Sequence, residues 1–412
     1  MARKMKNSGI EWIGEIPEGW EIKRLGAILQ ERNEVNNPIQ TTSILSLTNN
    51  RGVIPYSEKG NQGNKAKDDL TGYKIAHIGD IVLNSMNVII GSVGLSNYYG
   101  AVSPVYYMLF PRNNIETNIQ YYNYLFQTTA FQQSLRGYGN GILEIRMRIQ
   151  MQKLKTVLLP VPTFLEQSNI TVYLDASLSK LNILLSKTRS SIEEYKKLKQ
   201  AVITQAVVTQ QCSHIKLKYL MNVIVDCPHE TPTYSFTGNY YVIRTADQAL
   251  ASLRCDEDMY RLDASEYKKR TRRLTLDKDD IVYGREGERW GLACIVPESN
   301  KYCLGQRIMQ FRCNTKFLYP KYAMYALNSE PVYLQGVADT IGSTSPHVNI
   351  STVCNYLLPV PALTEQKEIA NYLDAKCAEI DRLIAKKEQL VKELESYKKS
   401  LIYEVVTGKR EV

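Results

Sequence analysis

The segment LLPVPTFLEQSNITVYLDA, Leu158 to Ala176, decides the organisation of this chain because it occurs twice. It recurs as LLPVPALTEQKEIANYLDA at Leu357 to Ala375, at a constant offset of 199 residues. Each copy runs into a long stretch without glycine or proline, Thr163 to Thr209 and Ala362 to Thr407. Such a repeat around two unlike segments predicts two domains, each followed by the same structural element.

The two long stretches predict helices that pack along each other. Apolar residues recur at alternating spacings of three and four, which is the pattern of a coiled-coil seam. A helix of roughly 46 residues is about 69 Å long, and the other copy is its simplest partner. We therefore predict an antiparallel two-helix coiled coil; the alternative is two independent amphipathic helices, each on its own domain. The predicted seam residues are Leu174, Leu178, Leu181, Leu185, Ile192, Leu373, Ile380, Ile384, Val391, Leu394 and Leu401.

The segments outside the helices repeat only loosely. GDIVL at Gly79 to Leu83 matches DDIVY at Asp279 to Tyr283, and both precede loops that contain glycine. Short runs rich in Val, Ile and Tyr predict strands, with helices near Asn118 to Leu135 and Tyr319 to Gln335. The predicted fold is α/β, with two domains of twisted β-sheets joined by the two long helices in a pseudo-two-fold arrangement. The predicted boundaries are 1–160 and 212–359 for the domains, and 161–211 and 360–412 for the central and C-terminal helices.

The composition excludes several classes of protein. No run of eighteen consecutive apolar residues is available for a transmembrane helix. The basic start, Met1 to Gly9, has no apolar run behind it and does not read as a signal peptide. The eight cysteines lie in the second half and never as C-x-x-C, which argues against a zinc site and a disulfide framework. We expect a cytoplasmic protein with reduced thiols and no membrane association.

The motifs of catalysis are missing from the sequence. No N-P-P or D-P-P tripeptide of an amino methyltransferase and no phosphate-binding G-x-x-x-x-G-K-[ST] occurs. The glycines at 137, 139 and 141 lack the following helix of a dinucleotide site. The four histidines are widely spaced, and Cys227 and His229 are too close in sequence for a nucleophile and its base. We predict no catalytic residue, no metal ligand and no cofactor bound by this chain.

The remaining chemistry is that of DNA binding, in a chain with 51 basic and 42 acidic residues. The segment YKKRTRRL, Tyr267 to Leu274, can neutralise several phosphates or can form a solvated loop balanced by nearby aspartates. In GREGERWG, Gly284 to Gly291, an arginine can span guanine O6 and N7. The matching loop NSMNVIIG, Asn84 to Gly91, offers asparagines that can pair with adenine or cap turns. The predicted DNA-binding residues are Asn84, Asn87, Asn97, Tyr98, Tyr99, Arg136, Tyr138 and Asn140, with Lys268, Lys269, Arg270, Arg272, Arg273, Arg285, Arg289 and Trp290.

Taken together, these motifs resemble the DNA specificity subunit of type I restriction-modification systems over the whole chain. The resemblance rests on the opening WIGEIPEGWEIKRLG (Trp12 to Gly26), the duplicated LPVP, EQ and YLDA strings, the heptad helices and the final VVTGK (Val405 to Lys409). There are two departures: the first helix ends in VVTQQ (Val207 to Gln211), and the second domain lacks the Trp-Ile-Gly-Glu opening.

The resemblance implies a role in defence against foreign DNA. Two target-recognition domains would each read one half of a bipartite site in double-stranded DNA, and the helices would act as a ruler for the spacer. It also implies that two methylation subunits dock on this chain, that restriction subunits join them, and that S-adenosylmethionine, ATP and Mg are bound by those partners.

The predicted function is therefore a non-catalytic DNA-recognition subunit of a DNA adenine-N6 methyltransferase and restriction endonuclease complex. A solitary DNA-binding regulator, a coiled-coil adaptor protein and an independent nuclease or methylase are the alternatives. Binding without a methylase would indicate the regulator, and binding indifferent to DNA and salt would indicate the adaptor. Because the variable domains differ most between family members, the DNA contacts above rest on side-chain chemistry alone.

Overall fold

The computed structural model describes residues 3–49, 51–60, 65–140, 148–208, 212–254, 256–287, 289–340 and 346–412. It divides the chain into two compact units, unit 1 (Met1–Lys187 and Leu390–Val412) and unit 2 (Thr188–Gln389). Each unit therefore combines one predicted domain with a part of both long helices. Within the described ranges, no helix is both long enough and apolar enough to cross a membrane.

Unit 1 is built on a small antiparallel sheet. Its elements are β1 (Met5–Asn7), β2 (Glu15–Pro17), β3 (Glu21–Arg24), α1 (Leu25–Ile28), β4 (Leu29–Arg32), β5 (Leu45–Thr48), β6 (Gly52–Pro55), β7 (Lys74–Ala76), β8 (Ile81–Asn84), β9 (Val93–Leu95), β10 (Gly100–Val102), β11 (Tyr106–Pro111), α2 (Ile119–Phe126), α3 (Thr129–Ser134), β12 (Gly139–Asn140), β13 (Arg148–Ile149), α4 (Met151–Leu154), β14 (Leu158–Val161) and the first part of α5 (Phe164–Val208). The central sheet has the strand order β4-β11-β8-β9, and β5-β6, β10-β7 and β14-β3 form separate two-stranded sheets.

Unit 2 repeats this plan after α5. Its elements are β15 (Ser213–Lys216), α6 (Leu217–Leu220), β16 (Met221–Asp226), β17 (Tyr240–Ile243), β18 (Gln248–Ala249), β19 (Ser252–Leu253), β20 (Tyr260–Leu262), α7 (Ala264–Arg270), β21 (Ile281–Gly284), β22 (Ala293–Ile295), β23 (Tyr302–Leu304), β24 (Ile308–Cys313), α8 (Pro320–Leu327), α9 (Glu330–Val337), α10 (Ile350–Cys354), β25 (Leu357–Val360) and the first part of α11 (Leu363–Val406). The central sheet has the order β16-β24-β21-β22, and β17 pairs with β20 and with β23, the latter in parallel.

The repeated DIV strings form the inner strands β8 and β21, which are buried on both faces. In β8, Ile81 and Leu83 join the larger core of unit 1, whereas Val82 faces a second, smaller core. Ile281, Val282 and Tyr283 alternate in the same way in β21. Because side chains alternate across a strand, a continuous apolar run suits a strand that is covered on both sides.

A buried glutamine from each EQ string fixes the start of each long helix. The amide nitrogen donates to two backbone carbonyl oxygens, and the amide oxygen accepts the backbone N–H at the N-terminus of a short helix, α2 or α8. Gln167 bonds Glu116, Pro162 and Asn118 at 2.8–3.1 Å, and Gln366 bonds Phe317, Pro361 and Tyr319 at 2.8–2.9 Å. The duplicated sequence therefore encodes a duplicated set of hydrogen bonds.

The predicted antiparallel pairing of the long helices is confirmed within each unit. In unit 1, the first part of α5 packs on the last part of α11, where Leu174 and Leu178 share a core with Leu401 and Val405. In unit 2, the last part of α5 packs on the first part of α11. Of the predicted seam, Leu174, Leu178, Leu185, Ile192, Leu373, Ile380 and Leu401 are buried, and Leu181, Ile384, Val391 and Leu394 are half-buried.

The end of α11 packs on the N-terminal segment of unit 1. Gly408 has a φ of +71° and lies so close to Pro17 that an added Cβ would meet its ring at 2.4 Å. Lys409 Nζ donates a hydrogen bond to the carbonyl oxygen of Ile13 at 2.7 Å. The Gly-Lys ending and the Trp-Ile-Gly-Glu opening thus belong to one packing arrangement, which explains why the centre of the chain lacks both strings.

Candidate nucleic-acid interface

The loops after β8 and β21 are held at their start by hydrogen bonds at equivalent positions. We call this arrangement the frame. The N–H of Ile149 donates to the carbonyl oxygen of Ser85 at 2.9 Å, and in unit 2 the N–H of Val348 donates to that of Arg285 at 3.1 Å. The carbonyl oxygen just before the neighbouring strand also accepts a hydrogen bond in both units: that of Val105 accepts from the side-chain hydroxyl of Ser85, and that of Arg307 accepts from the backbone N–H of Arg285. The two units thus present different side chains from one shared arrangement.

In unit 1, the frame borders an open groove of about 780 Å³. Asn84 is buried, and its side-chain oxygen accepts the N–H of Met86 at 3.0 Å. The side chain of Asn87 makes no hydrogen bond within the described ranges and lines the same groove. An amide with a free donor and acceptor is the group that pairs with the N6 and N7 edge of adenine. The structure therefore brings together the two predicted asparagines.

Cationic and aromatic side chains that sequence reasoning missed also line this groove: Arg51, Tyr56, Lys59, Lys65 and Tyr106. They come from the β5-β6 hairpin, from the segment that follows it and from β11, and none belongs to a charge run. No sequence motif pointed to them. Glu58 also lines the groove and pairs with Arg51, so the two lysines give the rim the net positive charge that favours contact with a polyanion.

The other predicted residues of unit 1 lie elsewhere. Asn97, Tyr98 and Tyr99 are exposed in the turn between β9 and β10, and the hydroxyl of Tyr99 donates to Gln40. Arg136 is exposed in the turn after α3, and Tyr138 packs against the core. The side chain of Asn140 lies outside the described residues. None of the five residues whose side chains are described lines the groove, so the structure does not join them to Asn84 and Asn87.

In unit 2, the glycine-containing loop folds back on the protein. Arg285 is buried and bonds Asp226 at 3.3 Å and Glu286 at 2.6 Å. Arg289 is exposed, but its Nη1 donates to two backbone carbonyl oxygens at 2.9 and 3.2 Å. The ring of Trp290 is buried and stacks on Tyr333 with the ring centroids 4.5 Å apart. Arg285 and Trp290 are thus turned inward by internal partners, contrary to the expectation that they face DNA.

The predicted basic segment becomes α7 and the turn after it. Lys268, Lys269, Arg272 and Arg273 are exposed, which suits phosphate contacts. A hydrogen bond with Glu230 raises the pKa of Lys269. Arg270 is different: its side chain is 6% exposed and donates to the carbonyl oxygens of Pro228, Glu230, Leu304 and Gly305. It therefore anchors the loop that follows β16 and is not available to DNA.

A polar cluster lies at the end of the unit 2 sheet, where Asp226, which the sequence did not single out, joins Cys227 and His229. Asp226, Cys227 and His229 bring one potential ligand atom each within 4.8 Å of one another. The Asp226 carboxylate, however, already bonds His229 at 3.0 Å and Arg285 at 3.3 Å. Burial raises the pKa of the Cys227 thiol, whose sulfur accepts the N–H of Arg307 at 3.1 Å. These contacts describe a hydrogen-bonded turn next to two arginines.

Comparison with protein families gives one match that covers both halves of the chain. A profile described as the type I restriction modification DNA specificity domain matches residues 17–194 and 227–394. The specificity subunit of the type I restriction enzyme EcoBI of Escherichia coli is 29% identical over 132 residues, which is 32% of this chain and 27% of that protein. The chain thus matches about a quarter of that relative.

A second relative is matched over nearly its full length. The specificity subunit of the type I restriction enzyme MjaVIII of Methanocaldococcus jannaschii is 21% identical over 426 aligned positions, covering 96% of this chain and 93% of the relative.

Two solved structures share the fold. One is a chain from a study of complex assembly and conformational transition of the type I R-M system, with 15% identity, a TM-score of 0.71 and coverage of 96% of this chain and 99% of that one. The other is the HsdS subunit from Thermoanaerobacter tengcongensis, with 14% identity, a TM-score of 0.51 and coverage of 96% and 98%.

Proposed function

Since the chain belongs to the family of type I restriction modification DNA specificity domains, we propose that each of its two units reads one half of a bipartite site in double-stranded DNA. One observation carries this proposal: the shared frame at the end of the central sheet holds amides in unit 1 and a charged cluster in unit 2. A common scaffold with different groups at the same place is what two unlike half-sites require.

The partners follow from the family and from the chain's own chemistry. We infer that two methylation subunits dock on this chain and that restriction subunits join them. S-adenosylmethionine, ATP and Mg then belong to those partners, and this chain contributes recognition without catalysis, in the cytoplasm. The relatives named as specificity subunits favour this role over a solitary regulator or a coiled-coil adaptor.

We propose that the long helices set the length of the spacer between the half-sites. This proposal is supported by the antiparallel pairing within each unit, because a packed helix pair resists bending better than a flexible linker of the same length. Insertion of one heptad into both helices should lengthen the preferred spacer and leave both half-sites unchanged. A changed half-site with the original spacer would contradict the ruler.

The function is tested by mapping N6-methyladenine in genomic DNA. Two strains carry the methylation subunit, one with this chain and one in which its gene alone is deleted. We expect methylation at one bipartite motif to depend on this chain. An unchanged methylome, with an active methylase and confirmed expression of this chain, would contradict the proposal.

The role of the unit 1 groove is tested separately with Asn87→Ala in the same strain. If Asn87 reads adenine, the substitution costs about 1–3 kcal/mol of discrimination at one position of one half-site. Asn114→Ala, at an exposed asparagine of unit 1 outside both the groove and the predicted DNA-binding set, is the matched control and should leave the motif intact. Equal loss of methylation at all sequences would instead indicate a general defect.

A further inference from the structure

Arg307 in unit 2 has a backbone conformation that arginine rarely adopts. It precedes β24 with a φ of +71°, in the left-handed region. This conformation is unfavourable for residues with a Cβ and persists only where the surroundings enforce it. Here its N–H donates to Cys227 Sγ at 3.1 Å, and its carbonyl oxygen accepts the N–H of Arg285 at 2.9 Å. The frame that is common to both units therefore holds the strained residue.

The side chain of Arg307 is held in place by its neighbours, but its terminal nitrogens remain available to a ligand. It is 52% exposed, and its Nε lies 4.0 Å from Glu286 Oε2. Nη1 lies beside Gly287, 3.5 Å from the position that a Cβ would occupy there. Within the described ranges, no hydrogen bond engages either terminal nitrogen. Glu286 is itself held by Arg285 at 2.6 Å, so the carboxylate that orients the guanidinium has a fixed place.

The other arginines around this loop have internal partners. Arg285 is buried in ion pairs, Arg270 bonds backbone carbonyl oxygens, and Arg289 donates to the carbonyl oxygens of Ala246 and Gln248. Arg307 is therefore the arginine of this cluster that presents an unused pair of donors at the end of the sheet, within the part of the chain described.

We propose that Arg307 binds a guanine of the second half-site through O6 and N7 in the major groove, with Arg285 and Glu286 as positioning residues. This inference rests on the proposed function and names one base contact within it. A bidentate contact from a guanidinium to O6 and N7 is the commonest specific contact to guanine. The equivalent residue in unit 1, Val105, has no such group, which confines the contact to one half-site.

The surrounding charge favours a base over a phosphate. Asp226 and Glu286 place two carboxylates beside the arginines, and a phosphate at Arg307 would be repelled by them. Guanine presents neutral acceptors, and a carboxylate can also accept from N4 of the paired cytosine.

The experiment measures binding of the full chain, assembled with its methylation subunit, to duplexes in which each guanine of the second half-site is replaced in turn by 7-deazaguanine. For the wild-type complex we expect a loss of roughly ten- to a hundredfold at one position. Arg307→Met should bind both duplexes with similar affinity, since it keeps much of the side-chain length but has no donor for O6 or N7. Arg254→Ala, at an exposed arginine of unit 2 outside the predicted DNA-binding set, is the matched control and should retain the discrimination.

Arg307→Gly distinguishes a loss of guanine recognition from a loss of folding stability. Glycine adopts a positive φ without strain, so this variant should melt at the same temperature as wild type or higher while losing the discrimination. First half-site discrimination should stay intact in every variant. Discrimination that survives in Arg307→Gly, or an equal weakening on all sequences with a smaller salt dependence, overturns the guanine assignment. A wild-type complex without any bipartite preference overturns the proposed function itself.

Discussion

The turns that precede β8 in unit 1 and β21 in unit 2 have the same backbone but different residues. Each is closed by a buried aspartate whose carboxylate accepts a backbone N–H three residues earlier in the chain. Asp80 pairs with Arg32 from β4 at 2.8 Å, whereas Asp280 pairs with Arg312 from β24 at 2.8 Å. The arginine that pairs with the aspartate therefore comes from non-equivalent strands in the two units, whereas the hydrogen bond that closes the turn is the same.

The comparison shows which part of the duplicated fold is constrained. Hydrogen bonds at equivalent positions hold the frame in both units. The side chains around these positions differ, and so do the strands that supply them. The ends of β8 and β21 follow the same rule, since amides stand in unit 1 where charges stand in unit 2. A scaffold kept in this way can vary its binding surface without losing its fold.

The largest expected difference between the units lies in their helix pairs. In unit 2, the side chain of Lys199 is 5% exposed and bonds Asp381, which is 48% exposed, at 2.8 Å. Asp381→Ala would leave a buried ammonium without its counter-charge and should lower the free energy of unfolding by about 3 kcal/mol. Urea denaturation followed by hydrogen exchange in α5 and α11 measures the loss and its place.

Two substitutions test whether burial of the Lys199 ammonium causes this loss of stability. Lys199→Met removes the buried charge and fills the same space, so stability should stay within about 1 kcal/mol of wild type. In unit 1, Lys398 donates to Asn182 at 2.8 Å in an exposed contact, and Lys398→Ala should cost less than about 0.5 kcal/mol. Equal losses for Asp381→Ala and Lys398→Ala would show that burial does not distinguish the two pairs.

The next largest effect tests the likeness of the units. Gln167→Ala and Gln366→Ala each remove three hydrogen bonds to backbone groups, and each should cost about 2 kcal/mol because one of those groups, the carbonyl of Pro162 or Pro361, is left buried without a partner. The melting temperatures of the two variants are the measurement, with the exposed Gln133→Ala as control. Clearly unequal drops in melting temperature would contradict the view that the glutamine of each EQ string stabilises the start of its long helix equally.

The sequence predicted the helices and the duplicated frame because periodicity and repetition are properties of the chain itself. It did not predict which arginines face outward, since that depends on partners distant in sequence. Arg270 is turned inward by carbonyl oxygens of residues 228–230 and 304–305. Arg307 lies just before a buried strand, and only the fold reveals its left-handed backbone.

A smaller effect concerns the residue before each buried aspartate. Gly79 and Asp279 occupy equivalent positions with φ of +88° and +69°, and their N–H groups donate to Ser96 and Val296 at 2.8 and 3.0 Å. Asp279→Gly should stabilise unit 2 by about 1 kcal/mol at most, and Gly79→Asp should destabilise unit 1 by about 1 kcal/mol. Thermal unfolding of both variants checks the opposite signs; the same sign for both would show that the turns are not equivalent.

The smallest effect distinguishes the two helix starts by pH. Although burial opposes the shift, hydrogen bonds from Trp20, Arg3 and Thr163 lower the pKa of Glu166 below its usual value of 4.5. A carboxyl group whose pKa is lower in the folded state adds stability above its unfolded pKa and loses that contribution as the pH falls through the folded pKa. The melting temperatures of wild type and Glu166→Gln should therefore differ at pH 7 and converge below pH 4.5. Glu365 occupies the equivalent position and makes no side-chain hydrogen bond in the described ranges. Glu365→Gln should therefore have the same melting temperature as wild type at pH 7. A gap for Glu166→Gln that stays constant down to acid pH would mean that the Trp20 and Arg3 contacts do not depend on the charge of this carboxylate.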